Sequence, residues 1–186
     1  IDMNGLEITN LTTNFSYFKT NMNFVNTTIQ TKNSNIKANI YFSYNRQDLT
    51  NFNDKVNINA DFNKSKIAVK DLKNFYAELS GNDIINFTGK LDGQLNNFEL
   101  KNLNLSSNNG IRVVGDLSFV NVVNTERGFI FEGDLDNLTA SYKNLKRILP
   151  NVLGKTLPTE FDKLGKFKTK GTIRVTPEQM IANVSI

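Results

Sequence analysis

Residues 36–44 read Ile-Lys-Ala-Asn-Ile-Tyr-Phe-Ser-Tyr, and residues 56–63 read Val-Asn-Ile-Asn-Ala-Asp-Phe-Asn. In both stretches every second residue is apolar. Successive side chains of a β-strand point to opposite faces of the sheet, so this period of two predicts strands with one apolar face and one polar face. These stretches decide the fold class, because nothing in them has helical spacing.

The same alternation recurs towards the carboxyl end of the chain. Its apolar positions, with glycines and Thr169 among them, are Ile85, Phe87, Gly89, Leu91, Gly93 and Leu95; Ile111, Val113, Gly115, Leu117 and Phe119; Phe129, Phe131, Gly133 and Leu135; and Phe167, Thr169, Gly171, Ile173 and Val175. Short polar connections rich in Asn and Gly separate the strands, which is typical of antiparallel neighbours in a meander. We expect an all-β, mainly antiparallel fold over residues 1–186, with no linker that divides it.

Residues 141–164 differ from the rest. Apolar residues there fall at helical spacing, basic residues lie largely opposite them, and Gly154 stands where a helix would end: Tyr142, Leu145, Ile148, Leu149 and Val152 against Lys143, Lys146 and Arg147. The pattern predicts a short helical insertion, which we expect to cap the apolar core rather than lie on a membrane. Residues 71–79 are compatible with either a strand or one or two helical turns.

Composition excludes several kinds of chemistry. The chain has no Cys and no His, so it has no disulfide, thiolate nucleophile, imidazole base or zinc site made of these residues. Lys and Arg number 22 against 18 Asp and Glu, an excess too small to indicate nucleic-acid binding. We expect no enzymatic activity and no cofactor.

Two sets of charged residues lie on polar positions of the alternation. Glu132, Asp134 and Asp136 form an acidic set, which we expect to lie in register on one face of a strand. Lys166, Lys168, Lys170 and Arg174 form a basic set. Close carboxylates can bind Ca²⁺ or act as a general acid and base. We favour the simpler interpretation, in which both sets form the solvated outer wall of the sheet.

The apolar face must be covered by another sheet, by the same sheet curled over, or by an apolar ligand. Glycines on the apolar positions, at 89, 93, 115, 133 and 171, indicate curvature or room for a ligand, although strand bending alone also explains them. About 11 strands at a spacing of about 4.8 Å would make a wall roughly 50 Å long. Such a groove is long enough for acyl chains, since one bilayer leaflet is about 15 Å thick.

A family resemblance lies in three stretches. Residues 145–171 read LKRILPNVLGKTLPTEFDKLGKFKTKG, and they follow the strand-rich stretches GKLDGQLNNFELKNLNL at 89–105 and IRVVGDLSF at 111–119. By this pattern, residues 67–186 resemble the TamB (translocation and assembly module) branch of the AsmA-like family of bacterial envelope proteins.

The resemblance implies a long sheet folded lengthwise into a U-shaped "β-taco" with an apolar interior. It implies a full-length protein that is anchored in the inner membrane and spans the periplasm of a Gram-negative-type envelope, of which this chain is an internal or near-terminal slice. Family members are associated with phospholipid transfer to the outer membrane and with outer-membrane protein assembly beside a TamA-like β-barrel partner. The resemblance implies that the groove is lined by apolar positions of the alternating pattern. In this chain these positions are Ile36, Ile40, Phe42, Val56, Ile58, Phe62, Ile85, Phe87, Leu91, Leu95, Ile111, Val113, Leu117, Phe119, Phe129, Phe131, Leu135, Phe167 and Ile173.

We therefore expect a non-enzymatic apolar conduit in which phospholipid acyl chains slide along the lining. Three alternatives stay open. One is a structural or adhesive β-solenoid whose core is filled by its own side chains. Another is a carrier of a lipopolysaccharide-type amphiphile, and the last is an enzyme that uses Glu132, Asp134 and Asp136.

Overall fold

The computed structural model describes residues 2–3, 6–73, 79–148 and 159–185. They form one 11-stranded sheet in which the strands lie side by side in chain order. All neighbouring strands are antiparallel, so the predicted all-β meander is confirmed. The strands are β1 (Asp2–Met3), β2 (Leu6–Tyr17), β3 (Asn21–Thr31), β4 (Asn35–Ser43), β5 (Asn57–Ala68), β6 (Ile84–Gln94), β7 (Asn97–Ser107), β8 (Arg112–Val120), β9 (Ile130–Ser141), β10 (Lys166–Val175) and β11 (Met180–Ser185).

The meander places alternate connections at opposite ends of the strands. The first rim carries the connections β3–β4, β5–β6, β7–β8 and β9–β10. The second rim carries the connections β2–β3, β4–β5, β6–β7, β8–β9 and β10–β11. Short helices lie in these connections: 3₁₀ turns at Arg46–Asn51, Thr125–Arg127 and Thr159–Leu164, and α1 (Phe52–Lys55), α2 (Val69–Leu72) and α3 (Tyr142–Ile148).

Apolar residues line up across the sheet in two rows. Residues that are paired directly across neighbouring strands share a face, so the register shows which side chains lie together. The first row is Phe15, Phe24, Ile40, Ala60, Leu91, Leu100, Leu117, Gly133, Ile173 and Ala182. The second row is Tyr17, Met22, Phe42, Ile58, Gly93, Phe98, Phe119, Phe131, Val175 and Met180. Each row contains one residue from every strand between β2 and β11, and we call the face that carries them the inner face.

A line of β-bulges crosses the sheet beside these rows. Every strand pair from β2–β3 to β9–β10 shifts register at this level, with the extra residue in β3, β5, β7 or β9. We call this line the crease and define it by Asn26, Lys64, Asn102 and Asp136. A bulge bends its strand and increases the local twist, so a line of bulges curls the sheet lengthwise. The result is an open, curled sheet.

Local chemistry fits the bulges. Asn26, Lys64 and Asn102 have positive φ angles of 53°, 42° and 51°. The backbone N–H of Asn26 donates to Asn39 Oδ1 at 2.8 Å, and that of Asn102 donates to Asp116 Oδ1 at 2.7 Å. At Asn26 and Asn102, polar side chains on the neighbouring strand therefore replace ladder hydrogen bonds that the bulges lose.

A group of buried residues lies along the crease. Ala38, Ala60, Leu103 and Leu135 are exposed by only 2–6%. At the crease, the even-numbered strands β4, β6 and β8 carry the small residues Ala38, Gly89 and Gly115. These small residues pair with larger residues of the odd-numbered strands. The small residues leave room for the sheet to bend at the level of the bulges.

The helical insertion is confirmed within the described residues. α3 spans Tyr142–Ile148, and a 3₁₀ turn spans Thr159–Leu164. The predicted helical positions Leu149 and Val152 and the predicted cap Gly154 lie outside the described residues. Of the ambiguous stretch 71–79, α2 includes residues 71 and 72, whereas 74–78 also lie outside the described residues.

Candidate apolar groove

Aromatic rings join neighbouring strands along the inner face. Towards one end of the sheet, Phe119 lies between Phe98 and Phe131, with ring centroids 4.9 Å and 5.3 Å away. Towards the other end, Phe24 lies between Phe15 and Phe42, at 4.9 Å and 5.7 Å. Such contacts hold aromatic side chains in place while their remaining surface stays available to an apolar ligand.

Part of the inner face away from the crease is accessible to solvent. Leu91, Leu117, Phe119 and Ile173 are half-buried, and Phe15, on β2 beyond its short pairing with β1, is 54% exposed. The side chains of a sealed sandwich core would be buried almost completely, because protein interiors are close-packed. The apolar rows are therefore partly accessible to water, with buried residues along the crease and at Ile58 and Val175.

The predicted lining residues occupy the inner-face positions of the alternation. Within strands these are Ile36, Ile40 and Phe42 of β4; Ile58 and Phe62 of β5; Ile85, Phe87 and Leu91 of β6; Val113, Leu117 and Phe119 of β8; Phe131 and Leu135 of β9; and Phe167 and Ile173 of β10. Val56, Leu95, Ile111 and Phe129 lie in the connections, one residue from the nearest strand end. Val56, Ile58, Ile111 and Leu135 are buried, whereas the others are half-buried.

Sequence reasoning missed the contribution of β7. Phe98 and Leu100 belong to the two rows, and Leu103 and Leu105 continue the inner face beyond the crease. The bulge changes the spacing from two residues to three between Leu100 and Leu103, so a search for strict alternation stops there. The available signal was a three-residue step between apolar residues that contains an Asn, the residue type that most readily adopts a positive φ after Gly.

The outer face is polar and charge-paired. Glu132 forms an ion pair with Arg174, and Lys101 Nζ lies 2.8 Å from Glu99 Oε2. The hydrogen bond with Glu99 raises the pKa of Lys101. These groups face solvent, so their ion pairs stabilise the sheet only slightly, and the outer surface stays hydrated.

The two charged sets of the sequence lie on this outer wall. Lys166, Lys168, Lys170 and Arg174 are exposed along β10. Glu132 and Asp134 lie on one face of β9, but Asp136 is the bulge residue of that strand and is out of register with them. The expectation that all three carboxylates lie in register is therefore wrong. Within the described ranges, no group of three acidic residues is arranged to hold a metal ion.

Comparison with known protein families, with characterised proteins and with solved structures finds no match for this chain. Across the part of the chain that the structure describes, no helix combines the length and the hydrophobicity that are needed to cross a bilayer.

Proposed function

We propose that the curled sheet is a conduit for phospholipid acyl chains, which lie along the inner face while their headgroups stay at the rims. The observation that carries this proposal is the pair of apolar rows that run through every strand from β2 to β11. A ligand with the same extended apolar character matches such a surface along its whole length.

The dimensions of the rows support the proposal. Ten strands at a spacing of about 4.8 Å span roughly 45 Å, whereas one leaflet of a bilayer is about 15 Å thick. One acyl chain would therefore cover only part of the rows, and several could lie end to end. An acyl chain that moves from one part of the rows to the next exchanges one set of apolar contacts for another of the same kind.

The chemistry of the rows suits movement rather than tight capture. They consist of Phe, Leu, Ile, Val, Met, Ala and Gly, with only Tyr17 carrying a polar group. Each methylene that leaves water contributes about 0.8 kcal/mol wherever it lies on such a surface, because the hydrophobic effect is not directional. A chain can therefore shift along the rows without losing a specific hydrogen bond.

The resemblance to the TamB branch of the AsmA-like family supplies the setting of the proposal. In this setting the chain is part of a periplasmic bridge of a Gram-negative-type envelope. It would deliver phospholipid towards the outer membrane or support outer-membrane protein assembly with a TamA-like barrel, through other parts of the full-length protein. A carrier of a lipopolysaccharide-type amphiphile would use the same groove, and the identity of the bound amphiphile separates the two.

The absence of cysteine allows a test on folded protein. Leu117→Cys and Ser118→Cys place a single thiol on the inner and the outer face of β8, one residue apart. Each folded variant is labelled with a methanethiosulfonate that carries a trimethylammonium group, mixed with phospholipid vesicles and re-isolated by gel filtration. Bound lipid is then extracted and measured by mass spectrometry.

The proposal predicts that the labelled Ser118→Cys variant carries as much phospholipid as unmodified protein, and that the labelled Leu117→Cys variant carries far less. Equal lipid on both labelled variants would contradict a path along the inner face. No lipid on unmodified protein would favour a structural role with a self-filled core. Circular dichroism before and after labelling checks that the sheet is intact.

A further inference from the structure

The two edges of the sheet lack the features that usually keep edge strands apart. Edge strands commonly carry lysine, proline or a bulge, because their free N–H and C=O groups otherwise pair with another chain. Residues 8–17 of β2 and all of β11 contain neither a charged residue nor a proline. Among the described residues, β1 pairs with Leu6 and Glu7 alone, and β11 has only β10 beside it. Most of each edge is therefore open to a further strand.

Exposed apolar side chains concentrate on the same two strands. Leu11, Phe15 and Tyr17 of β2 are exposed, and so are Ile181 and Val184 of β11. These five residues are most of the large apolar side chains that the described part of the chain leaves exposed. A strand added at either edge would cover part of this surface through cross-strand contacts.

The two edges are complementary in direction. Neighbouring strands are antiparallel throughout, so the even-numbered β2 and the odd-numbered β11 run in opposite directions. The residues Tyr17 and Met180 both lie at the second rim. A second copy that is placed beside the first without being turned end for end would bring its β2 antiparallel to β11 of the first copy. The rims and the inner faces of the two copies would then be aligned.

One register continues both apolar rows from copy to copy. Met180 opposite Tyr17 extends the second row, and Ala182 opposite Phe15 extends the first. Both pairs fit a single register, because each strand moves by two residues between them. The full set of pairs in that register is Met180–Tyr17, Ile181–Ser16, Ala182–Phe15, Asn183–Asn14, Val184–Thr13 and Ser185–Thr12. All these residues are uncharged, so the register brings no like charges together.

The backbone groups of β2 suit this register. The N–H of Phe18 donates to the carbonyl of Asn21 at 2.8 Å in the β2–β3 turn. Hydrogen-bonded and non-hydrogen-bonded pairs alternate along an antiparallel ladder. Tyr17 and Phe15 therefore direct their N–H and C=O groups away from β3, towards the open edge.

The backbone groups of β11 have the matching arrangement. The N–H of Thr176 donates to the carbonyl of Gln179 at 2.9 Å in the β10–β11 turn. By the same alternation, Met180 and Ala182 direct their N–H and C=O groups away from β10. The residues that continue the two rows are thus also the residues whose backbone groups face the open edges.

Pairing between two identical edges fits less well. If Ala182 of one copy faced Ala182 of another, Met180 would face Val184, and the second row would end at the junction. Such a two-fold arrangement would also place the first rim of one copy beside the second rim of the other. Pairing between β11 and β2 avoids both mismatches.

We infer that copies of this chain associate head to tail, with β11 of one copy paired to β2 of the next in the register given above. The inference goes beyond the proposed function and does not depend on lipid binding. Each junction leaves one free β2 edge and one free β11 edge at the two ends of the assembly, so the copies form open chains rather than closed dimers. The apolar rows then continue from one copy into the next.

The register can be tested by disulfide trapping, because the chain has no cysteine. Four single variants place a thiol on the outer face near an edge: Asn14→Cys, Ser16→Cys, Ile181→Cys and Asn183→Cys. They are mixed in pairs in a glutathione redox buffer, and disulfide-linked dimers are identified by intact-protein mass spectrometry. The in-register mixtures are 16 with 181 and 14 with 183. The control mixtures use the same four proteins with the partners exchanged, 16 with 183 and 14 with 181.

We expect at least about tenfold more mixed dimer from the in-register mixtures than from the controls. Directly paired residues lie about 4.5–5.5 Å apart and those displaced by two about 7–8 Å, whereas a disulfide requires Cα atoms closer than about 7 Å. Equal yields in all four mixtures would overturn the register. Dimers formed mainly by one variant with itself would overturn the head-to-tail arrangement in favour of two-fold pairing.

A second measurement removes one hydrogen-bond donor of the open edge. Ala182→Pro deletes an N–H that points away from β10, so the ladder within the chain keeps its bonds, and Ala182→Val is the control that retains the N–H. Association is measured by sedimentation equilibrium, and circular dichroism checks the sheet. We expect wild type and Ala182→Val to associate as concentration rises, and Ala182→Pro to associate at least about tenfold more weakly.

Two results of this measurement would overturn the inference. Association of folded Ala182→Pro as strong as that of wild type would show that the β11 edge is not the contact. Wild type that stays monomeric up to its solubility limit would exclude a second copy at these edges and favour a strand of another protein.

Discussion

The Arg147 guanidinium donates two hydrogen bonds to the Asp83 carboxylate, at 3.2 Å from Nε and 2.9 Å from Nη2, and so fastens α3 to the segment that precedes β6. Asp83 is fully buried, and it also accepts a hydrogen bond from the Asn109 side chain in the β7–β8 connection. One carboxylate thereby holds three connections of the first rim together. Planar, two-point pairing of this kind is the strongest form of ion pair in proteins.

We expect Asp83→Ala to lower the free energy of unfolding by about 2–3 kcal/mol, because it removes several hydrogen bonds to a buried carboxylate. The arginine side chain is 42% exposed, so its unpaired charge can reach water and the cost stays below that of a fully buried pair. Urea unfolding measures the change. The control is Asp61→Ala, which removes an exposed pair with Lys90 at 3.9 Å and should cost less than about 1 kcal/mol. Equal costs for the two variants would contradict a fastening role for Asp83.

Asp71 makes the stability of the first rim depend on pH. Burial raises the pKa of this carboxyl, but hydrogen bonds from Ser34, Thr31 and Asn33, together with the charge of Lys70, outweigh burial and leave the pKa below its ordinary value. A lowered folded-state pKa means that the stabilisation is complete above the unfolded-state value of about 3.9. It is lost as the pH falls from there through the folded-state pKa.

We expect Asp71→Asn to cost about 2 kcal/mol at neutral pH, because the amide turns an N–H towards groups that now donate to a carboxylate. The difference from wild type should shrink as the pH is lowered from about 5 to 2, since the wild-type carboxyl then loses its charge. Urea unfolding across this range is the measurement, with the exposed Asp134→Asn as control. A difference that stays constant down to the lowest pH would contradict the assigned partners.

The crease predicts unequal tolerance of two neighbouring inner-face glycines. Gly115 has φ of 143°, and a Cβ built there would collide with the Asp134 backbone oxygen on β9. A Cβ at Gly133 would meet side-chain atoms alone, those of Leu117 at 3.3 Å and of Leu135 at 3.5 Å, and these can move. We expect Gly115→Ala to cost about 3 kcal/mol and Gly133→Ala less than about 1 kcal/mol by thermal or urea unfolding. Similar costs would indicate that the strands are not held so closely at the crease.

Much of the fold could be predicted from alternation alone. Stretches such as 36–44 and 111–119 keep a strict period of two, and short connections leave antiparallel pairing as the simple arrangement. The crease could not be predicted in this way. A bulge adds one residue and restores the same face three positions later, as from Phe62 to Ser65, so it looks like a break in the pattern. Whether that break ends a strand or bends it depends on the neighbouring strand.

The same reason explains where the predicted site was incomplete. Strand β5 continues to Ala68, past the predicted end at Asn63, because its bulge lies at Lys64. Lys32, Lys66 and Lys70 line one cavity at the first rim, and the sequence carried no signal of it, since it forms only when the β3–β4 turn, β5 and α2 meet. Residues that come together from different strands and connections have no fixed spacing along the chain.

The central claim is that acyl chains lie against the inner face, and photocrosslinking tests it most directly. The photoreactive amino acid benzoylphenylalanine is placed at Phe119 on the inner face or at Ser118 on the outer face of β8, and each protein is irradiated with phospholipid vesicles. Intact-protein mass spectrometry then detects covalent lipid. We predict a phospholipid adduct at position 119 and none above background at position 118. Equal adducts at both positions, or no adduct at 119 in folded protein, would contradict the account.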